Sequence, residues 1–419
     1  MLFNLEVLAD GKEKIICYEN TTNQFTDPES GKVYFDDLPR RNYARQSDTY
    51  AIDLKNVGTL YIQLGLKCNF HCKYCHQNQF RTSSQVTDFT PSRVDGFIDI
   101  LKRNHVNVHS IALWGGEPLV YWKTLKRLIP KLRELFPDIL INFPTNGSLL
   151  DKEKVEFLEK YNIHFYISYD GKQTNRDESV FDKKELLESL RSLKGGVDIM
   201  STQNRASIPI RAVRNEFREI DLKLHSLAVY TIARCNPYNA SQAQEILIPD
   251  EKIQMHSAFI YDVLHGKVED EHLYRGLLDR FEHLLRVIAF RFGVDSQETT
   301  YCANSLGRDV TIDCTGTLFN CMNIPVHRFG TVDTFKPFDK SKIFKSPLKR
   351  KPCLECPFLT ICRGGCPLVH DEASEVFKVN CHNLKCLAVP FFRTMVERLL
   401  GVYLKRITRA SDNKCFGEF

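Results

Sequence analysis

From about residue 58, short apolar runs alternate with amphipathic stretches, and this alternation constrains the fold more than any other feature. TLYIQLG, HSIALWG, ILINFPT and IHFYISYD predict strands, with weaker strand signals at SIPIRAV and LAVYTIA. Helical periodicity occupies 91–104, 119–135 and 151–160 between the first four runs, and 182–193 follows the fourth. Repeated β–α units predict a parallel sheet, closed or partly closed as a barrel. Ahead of it, LFNLEVLA, EKIICYEN and KVYFDDL are β-like runs separated by the turn signals DG, NTTN and DPESG, so residues 1–55 predict a small β-rich appendage. Residues 56–250 form the expected barrel, and 251–297 a helical connector carrying DEKIQMHSAFIYDVLHG and LLDRFEHLLRVIAFRF. Residues 298–419 form a cysteine-rich region with a last helix near 387–405.

The chain has 419 residues, 43% of them hydrophobic, which supports a large core and more than one domain. Its 57 basic and 52 acidic residues leave a net charge of +5, and no basic run is interleaved with aromatics. No nucleic-acid partner is expected from that balance. The start, MLFNLEVLADGKEK, lacks a basic leader followed by a long apolar stretch, and no apolar run approaches the roughly 18 residues that span a bilayer. A cytoplasmic protein without a membrane partner is therefore expected. Fifteen cysteines then need a reason: their number is odd, and twelve fall in two groups, three at 68–75 and nine at 302–386. In a reducing compartment, clustered cysteines point to metal rather than to disulfides.

The first group, Cys68-x₃-Cys72-x₂-Cys75, directly follows the first strand run. Three thiolates from one short loop can hold three corners of a [4Fe–4S] cube and leave the fourth iron open to a small molecule. The alternative is a structural zinc loop completed by His71 or His76. Three further segments follow successive strands: Gly115-Gly116-Glu117-Pro118, Thr145-Asn146-Gly147 and Ser168-Tyr169-Asp170-Gly171. In a barrel, all four segments reach the rim at the C-terminal ends of the strands, where such folds place their active sites.

The loop Cys68-Asn-Phe-His-Cys72-Lys-Tyr74-Cys75, with an aromatic before its last cysteine, resembles the signature of the radical S-adenosylmethionine enzymes. The resemblance implies a partial (β/α)₆ barrel in which Cys68, Cys72 and Cys75 bind a [4Fe–4S] cluster that itself binds S-adenosylmethionine. Tyr74, Gly115, Gly116, Glu117, Pro118, Asn146, Ser168 and Asp170 then line the cofactor, with the GGEP segment on the methionyl amine. After Gly171 the pattern departs from the family: Lys172 stands where a proline is common, and Arg176 is a substitute for a downstream arginine. The chemistry so implied is one-electron cleavage of the sulfonium to a 5′-deoxyadenosyl radical that abstracts a substrate hydrogen.

The C-terminal group reads Cys302-x₁₃-Gly316-x₄-Cys321, then Cys353-x₂-Cys356-x₅-Cys362-x₃-Cys366, then Cys381. This resembles the SPASM extension of peptide-modifying radical enzymes, which implies two auxiliary [4Fe–4S] clusters. Cys353, Cys356, Cys362 and Cys381 hold one, and Cys302, Cys321 and Cys366 the other. Cys314, or an open site, completes the second set, and Ser296 stands where some relatives carry another cysteine. Cys386 competes with Cys381. A double zinc ribbon is the alternative reading of the spacing. Cys17, Cys235 and Cys415 are solitary and expected as small buried hydrophobes.

The family resemblance points to a ribosomally made precursor peptide as partner and to a thioether, carbon–carbon or carbon–oxygen crosslink as product. An electron donor such as flavodoxin or ferredoxin is also implied. Oxidation of a protein Cys or Ser is the runner-up; Met322 stands where that subgroup carries an aspartate. A small-molecule substrate, an iron–sulfur electron carrier and a zinc-binding module are further alternatives. No catalytic base is identified. The first 55 residues are a candidate for gripping a leader peptide by edge pairing.

Overall fold

Six strands carrying buried residues lie side by side in sequence order. They are β1 (Val57–Gln63), β2 (Val108–Trp114), β3 (Leu140–Thr145), β4 (Ile163–Ser168), β5 (Val197–Gln203) and β6 (Leu224–Ile232). Every neighbouring pair is parallel. Helices α1 (Val94–Arg103), α2 (Trp122–Leu135), α3 (Lys152–Lys160), α4 (Lys184–Arg191) and α5 (Ile210–Glu219) lie in the crossovers. The sheet continues beyond β1 through β7 (Val310–Asp313), which is parallel to it, and then antiparallel through β8 (Thr317–Phe319) and β9 (Arg328–Thr331). Because β1 pairs with β7 and not with β6, the sheet is a partial barrel. This computed structural model describes residues 1–36, 49–82, 86–172, 180–193, 195–232, 237–289, 302–324 and 327–419.

The apolar face supplies the core: Leu60, Ile62, Ile111, Leu113, Phe143 and Ile167 are all buried. Each such side chain contributes about 1.5–3 kcal/mol when fully withdrawn from water. The opposite face carries Tyr61, Asn142, His164, Tyr166 and Ser168, all only half-buried.

Two strand expectations are corrected. SIPIRAV does not form the fifth strand, because Pro209 sits at the N-cap of α5 and Ile210, Val213 and Phe217 bury one helical face. The fifth strand is VDIMSTQ, at 197–203. Its core-facing positions are Val197, Ile199, Ser201 and Gln203, so half of them are polar and the alternation is hidden.

The chain divides into two compact units, Thr49–Ile246 with Cys302–Lys340, and Met1–Asp48 with Leu247–Tyr301 and Ser341–Phe419. In the second unit, the strands Leu2–Ala9, Lys12–Glu19 and Gln24–Thr26 form a sheet completed by Tyr403–Arg409, antiparallel to Leu2–Ala9, and then Cys415–Glu418. KVYFDDL does not form a strand over its described part: only Val33 makes a bridge, to Thr26, and Phe35 takes a positive φ. The last helix runs Lys385–Leu400 rather than to 405, since Gly401 adopts φ +67° and turns the chain into the Tyr403–Arg409 strand. The Asn20 amide donates to the carbonyls of Leu354 and Cys356, both at 2.9 Å, fastening the N-terminal hairpin to the cysteine-bearing segment. Among the described residues, no helix is long and apolar enough to cross a membrane.

Candidate active site

At the C-terminal end of β1 the backbone must turn sharply, and Gly65 does so at φ +141°. A Cβ there would meet the Tyr121 hydroxyl at 2.1 Å, so no larger residue fits. That hydroxyl donates to Asp88 at 3.0 Å and accepts from the Lys67 amide at 3.0 Å, anchoring the loop just before Cys68. Cys68 and Cys75 are partly exposed and Cys72 is buried. The amide of Cys75 closes a turn on the Cys72 carbonyl at 3.0 Å, and the Phe70 amide lies 3.4 Å from the Cys68 sulfur. Burial pushes the Cys68 thiol above its ordinary range, and that amide partly counters it.

The segment after β2 packs directly on this loop. Gly116 donates to Gly65 at 3.1 Å and Glu117 to Lys67 at 2.9 Å. A Cβ on Gly116 would stand 2.2 Å from the Lys67 carbonyl oxygen, so the contact is backbone against backbone. Pro118 starts a buried helical turn, and Glu117 caps it by accepting from Leu119 at 3.0 Å. The same buried carboxylate accepts from the Thr145 hydroxyl at 2.8 Å and the Asn146 amide at 2.7 Å, latching the segment after β3 to the one after β2. Asn146 in turn donates to Asn69 at 3.0 Å, and Asn69 to Ser148 at 2.8 Å. Ser168 ends β4 in register with Met200. Asp170, fully buried, accepts from the Tyr74 hydroxyl and, at 2.7 Å, from the Thr202 amide.

The four segments singled out in the sequence therefore meet at one rim, joined by direct hydrogen bonds. Gly65, Asn69, Asp88, Tyr121, Ser148 and Thr202 hold them there, as does Gln242, which donates to the Lys73 carbonyl at 3.2 Å. The sequence singles out none of these; Gly65 closes the strand run TLYIQLG. Lys172 donates its backbone N–H to Glu216, and Arg176 lies outside the described residues.

In the other unit, a cavity of about 300 Å³ is lined by Cys353, Cys356, Cys362, Cys366, Cys381 and Cys415. Arg350, fully buried, donates to the carbonyls of Gly364, Cys366 (3.1 Å) and Val369 (2.5 Å), fixing the loop that carries Cys366. Burial pushes the Cys353 thiol up to about 11, with Cys381 adding to the shift, and burial raises Cys356 and Cys381 as well. Ionising such a set calls for a cationic centre in its midst. Cys386 is buried away from the cavity, its thiol pushed by burial to about 12. Cys415 is exposed rather than buried as expected, because it begins the sheet's edge strand. Cys17 is half-buried, and Cys235 lies outside the described residues.

Cys302 and Cys321 belong to the barrel unit, and both act electrostatically on Tyr61 of β1. Gln77, two residues past Cys75, donates to the Met322 carbonyl at 3.2 Å. Cys314 is buried with its thiol directed at the carbonyls of Thr87 and Asp88.

The thiol spacing does not match a single tetrahedral ion. Tetrahedral zinc, with sulfurs at 2.3 Å, would bring them within about 4 Å of each other. Among the described residues, no three cysteine sulfurs lie within 4.8 Å of one another.

Residues 62–194 match the Radical SAM superfamily. The chain is 23% identical to the radical SAM cyclopropyl synthase TigE of Paramaledivibacter caminithermalis over 341 residues, covering 74% of this chain and 68% of that protein. Among solved structures it shares a fold with native anSMEcpe with bound AdoMet, at 21% identity and a TM-score of 0.55, covering 82% of this chain and 98% of that one. Native anSMEcpe with bound AdoMet and Cp18Cys peptide aligns at 20% identity and a TM-score of 0.55, again covering 82% and 98%. The superfamily implies a [4Fe–4S] cluster and S-adenosylmethionine. Residues 62–194 thus form a radical SAM domain, and the chain is an enzyme of oxidoreductase type.

Proposed function

We propose that this enzyme is a SPASM-type maturase that abstracts a hydrogen from a ribosomally made precursor peptide and installs a thioether, carbon–carbon or carbon–oxygen crosslink. The observation that carries the reading is the convergence of Cys353, Cys356, Cys362 and Cys381 on one cavity. Burial raises the thiols of Cys353, Cys356 and Cys381 there, as it does that of Cys68 in the rim loop. Cys302, Cys321 and Cys366 are assigned to the other auxiliary cluster. Residues 298–419 are then the SPASM module, 56–250 the barrel, 1–55 the appendage and 251–297 the connector.

Cys68, Cys72 and Cys75 would hold the radical-generating cluster, which with S-adenosylmethionine supplies a 5′-deoxyadenosyl radical. The chain's own residues position it. The Gly115-Gly116 backbone fixes the height of the cysteine loop, and Glu117 locks that level to Asn146. Tyr74 is tied to Asp170, so the cysteine loop and the end of β4 share one geometry. Such fixation matters because a reacting atom must sit within roughly 3–3.5 Å of its target. The half-buried face of the strands, with Tyr61 and Tyr166, offers the substrate cleft below the rim.

Two relatives support the substrate and bond class. One is a structure solved with a bound peptide; the other is a cyclopropyl synthase, a maker of carbon–carbon bonds. Flavodoxin or ferredoxin is the proposed electron donor. Co-expression with a small peptide encoded beside this chain tests the reading by mass spectrometry. Loss of a hydrogen pair per crosslink supports it. An unchanged peptide mass alongside 5′-deoxyadenosine production counts against a peptide substrate.

A further inference from the structure

At the opposite, N-terminal ends of the barrel strands, His164, Asp198 and His225 stand together. Each is the second residue of its strand, in β4, β5 and β6 respectively. Nε2 of His164 lies 2.8 Å from Asp198 Oδ2, and Nδ1 of His225 lies 2.9 Å from Asp198 Oδ1. Among the described residues this is the one trio of His, Cys, Asp and Glu donors lying within 4.8 Å of one another. A register shift in β6 between Leu224 and Ser226 places His225 outside the ladder and turns it to Asp198. Bulges of this kind re-aim side chains next to functional sites.

We propose that His164, Asp198 and His225 form a binding site for a divalent transition-metal cation, with zinc as its first ligand. Two imidazoles and a carboxylate suit that class of ion. The polar surroundings favour it. Asn142 Oδ1 faces Nδ1 of His164 at 3.2 Å. A ring held through Nδ1–H to Asn142 offers Nε2 to a cation, which would then take the place of the hydrogen bond to Asp198. Asp198 also accepts from the Ser226 hydroxyl, which fixes its carboxylate between the two imidazoles.

The geometry needs little adjustment. Two donors each 2.1 Å from a tetrahedral ion stand about 3.4 Å apart, so the present separations widen by only about half an ångström. Access is open: the His164 and His225 side chains are 40% and 61% exposed, against 12% for Asp198. A pocket of about 520 Å³, lined by Glu159, Asn162, His164, Ser192 and Asp198 among others, leaves room for water or a further ligand on the ion. Bound there, the ion would tie β4, β5 and β6 together at the end of the barrel away from the cysteine loop.

The test uses anaerobically reconstituted holoenzyme, whose thiol sites are already loaded, incubated with zinc sulfate and desalted. Wild type should retain one equivalent of zinc that both Asp198→Asn and His225→Ala lose. Iron content and 5′-deoxyadenosine yield should be the same in all three proteins. Zinc should also raise the melting temperature of wild type and leave both variants unmoved. Wild type that retains no zinc, or variants that retain as much, would overturn the proposal. Since iron and 5′-deoxyadenosine are read separately, that failure would leave the radical SAM reading intact.

Discussion

Replacing Gly116 with alanine isolates the role of the backbone contact beneath the cysteine loop. The added methyl would lie 2.2 Å from the Lys67 carbonyl oxygen and 2.6 Å from that of Leu66, where ordinary contact begins at 3.4 Å. Both neighbours are main chain, so relief requires the loop entering Cys68 to retreat by about an ångström, at a cost of roughly 1–3 kcal/mol for overpacking. A misplacement of about 1 Å in a reacting constellation costs on the order of 10²-fold in rate. Gly116→Ala should therefore fold, with a slightly lower melting temperature, and yield about a hundredfold less 5′-deoxyadenosine per unit time. The matched control is Gly96→Ala in α1, where a Cβ meets nothing within 4 Å. It should be neutral or more stable by roughly 0.5–1 kcal/mol and fully active. The assay is anaerobic reconstitution followed by quantitation of 5′-deoxyadenosine under dithionite. A Gly116→Ala protein that cleaves S-adenosylmethionine at the wild-type rate would refute the reasoning.

Other outcomes follow from the second unit. Cys381→Ser should lower the iron bound per chain, whereas Cys386→Ser should leave iron unchanged, since only Cys381 of the two lines the cysteine cavity; iron analysis after reconstitution decides. Arg350→Lys loses the fork that reaches three carbonyls around Gly364–Val369 and should destabilise that unit by about 3 kcal/mol, measured by denaturant unfolding together with loss of iron. His256 is held down to about 4, chiefly by burial and then by the Lys252 charge, against an ordinary 6.5. Below pH 6.5 the unfolded chain takes up a proton that the folded chain refuses until about pH 4. Stability should thus fall across that window by up to about 3 kcal/mol, and His256→Leu should flatten the slope in pH-dependent unfolding.

The rim of the barrel was legible because its residues are dictated by close backbone approach and turn geometry, which leave local signatures. Gly115-Gly116-Glu117, Thr145-Asn146-Gly147 and the cysteine loop each follow an apolar run with clear period. β5 was hidden because Ser201 and Gln203 occupy core-facing positions, and α5 was misread because Ile208 and Ile210 flank Pro209 in a strand-like rhythm. The pairing of Leu2–Ala9 with Tyr403–Arg409 joins opposite ends of the chain, and no local pattern encodes a contact that distant. The same limit concealed the His164–Asp198–His225 trio, whose members are separated by 34 and 27 residues and met only through strand register.

The proposed radical chemistry requires Cys68, Cys72 and Cys75 to hold a cluster with an iron free to bind S-adenosylmethionine. Electron–nuclear double resonance on the reduced protein, with ¹⁷O-carboxylate or ¹⁵N-amine label in the methionyl group, reads that contact directly. Strong hyperfine coupling to both labels, absent from Cys72→Ala, is the result predicted. A reduced, iron-loaded wild-type protein that shows no coupling to either label would contradict it.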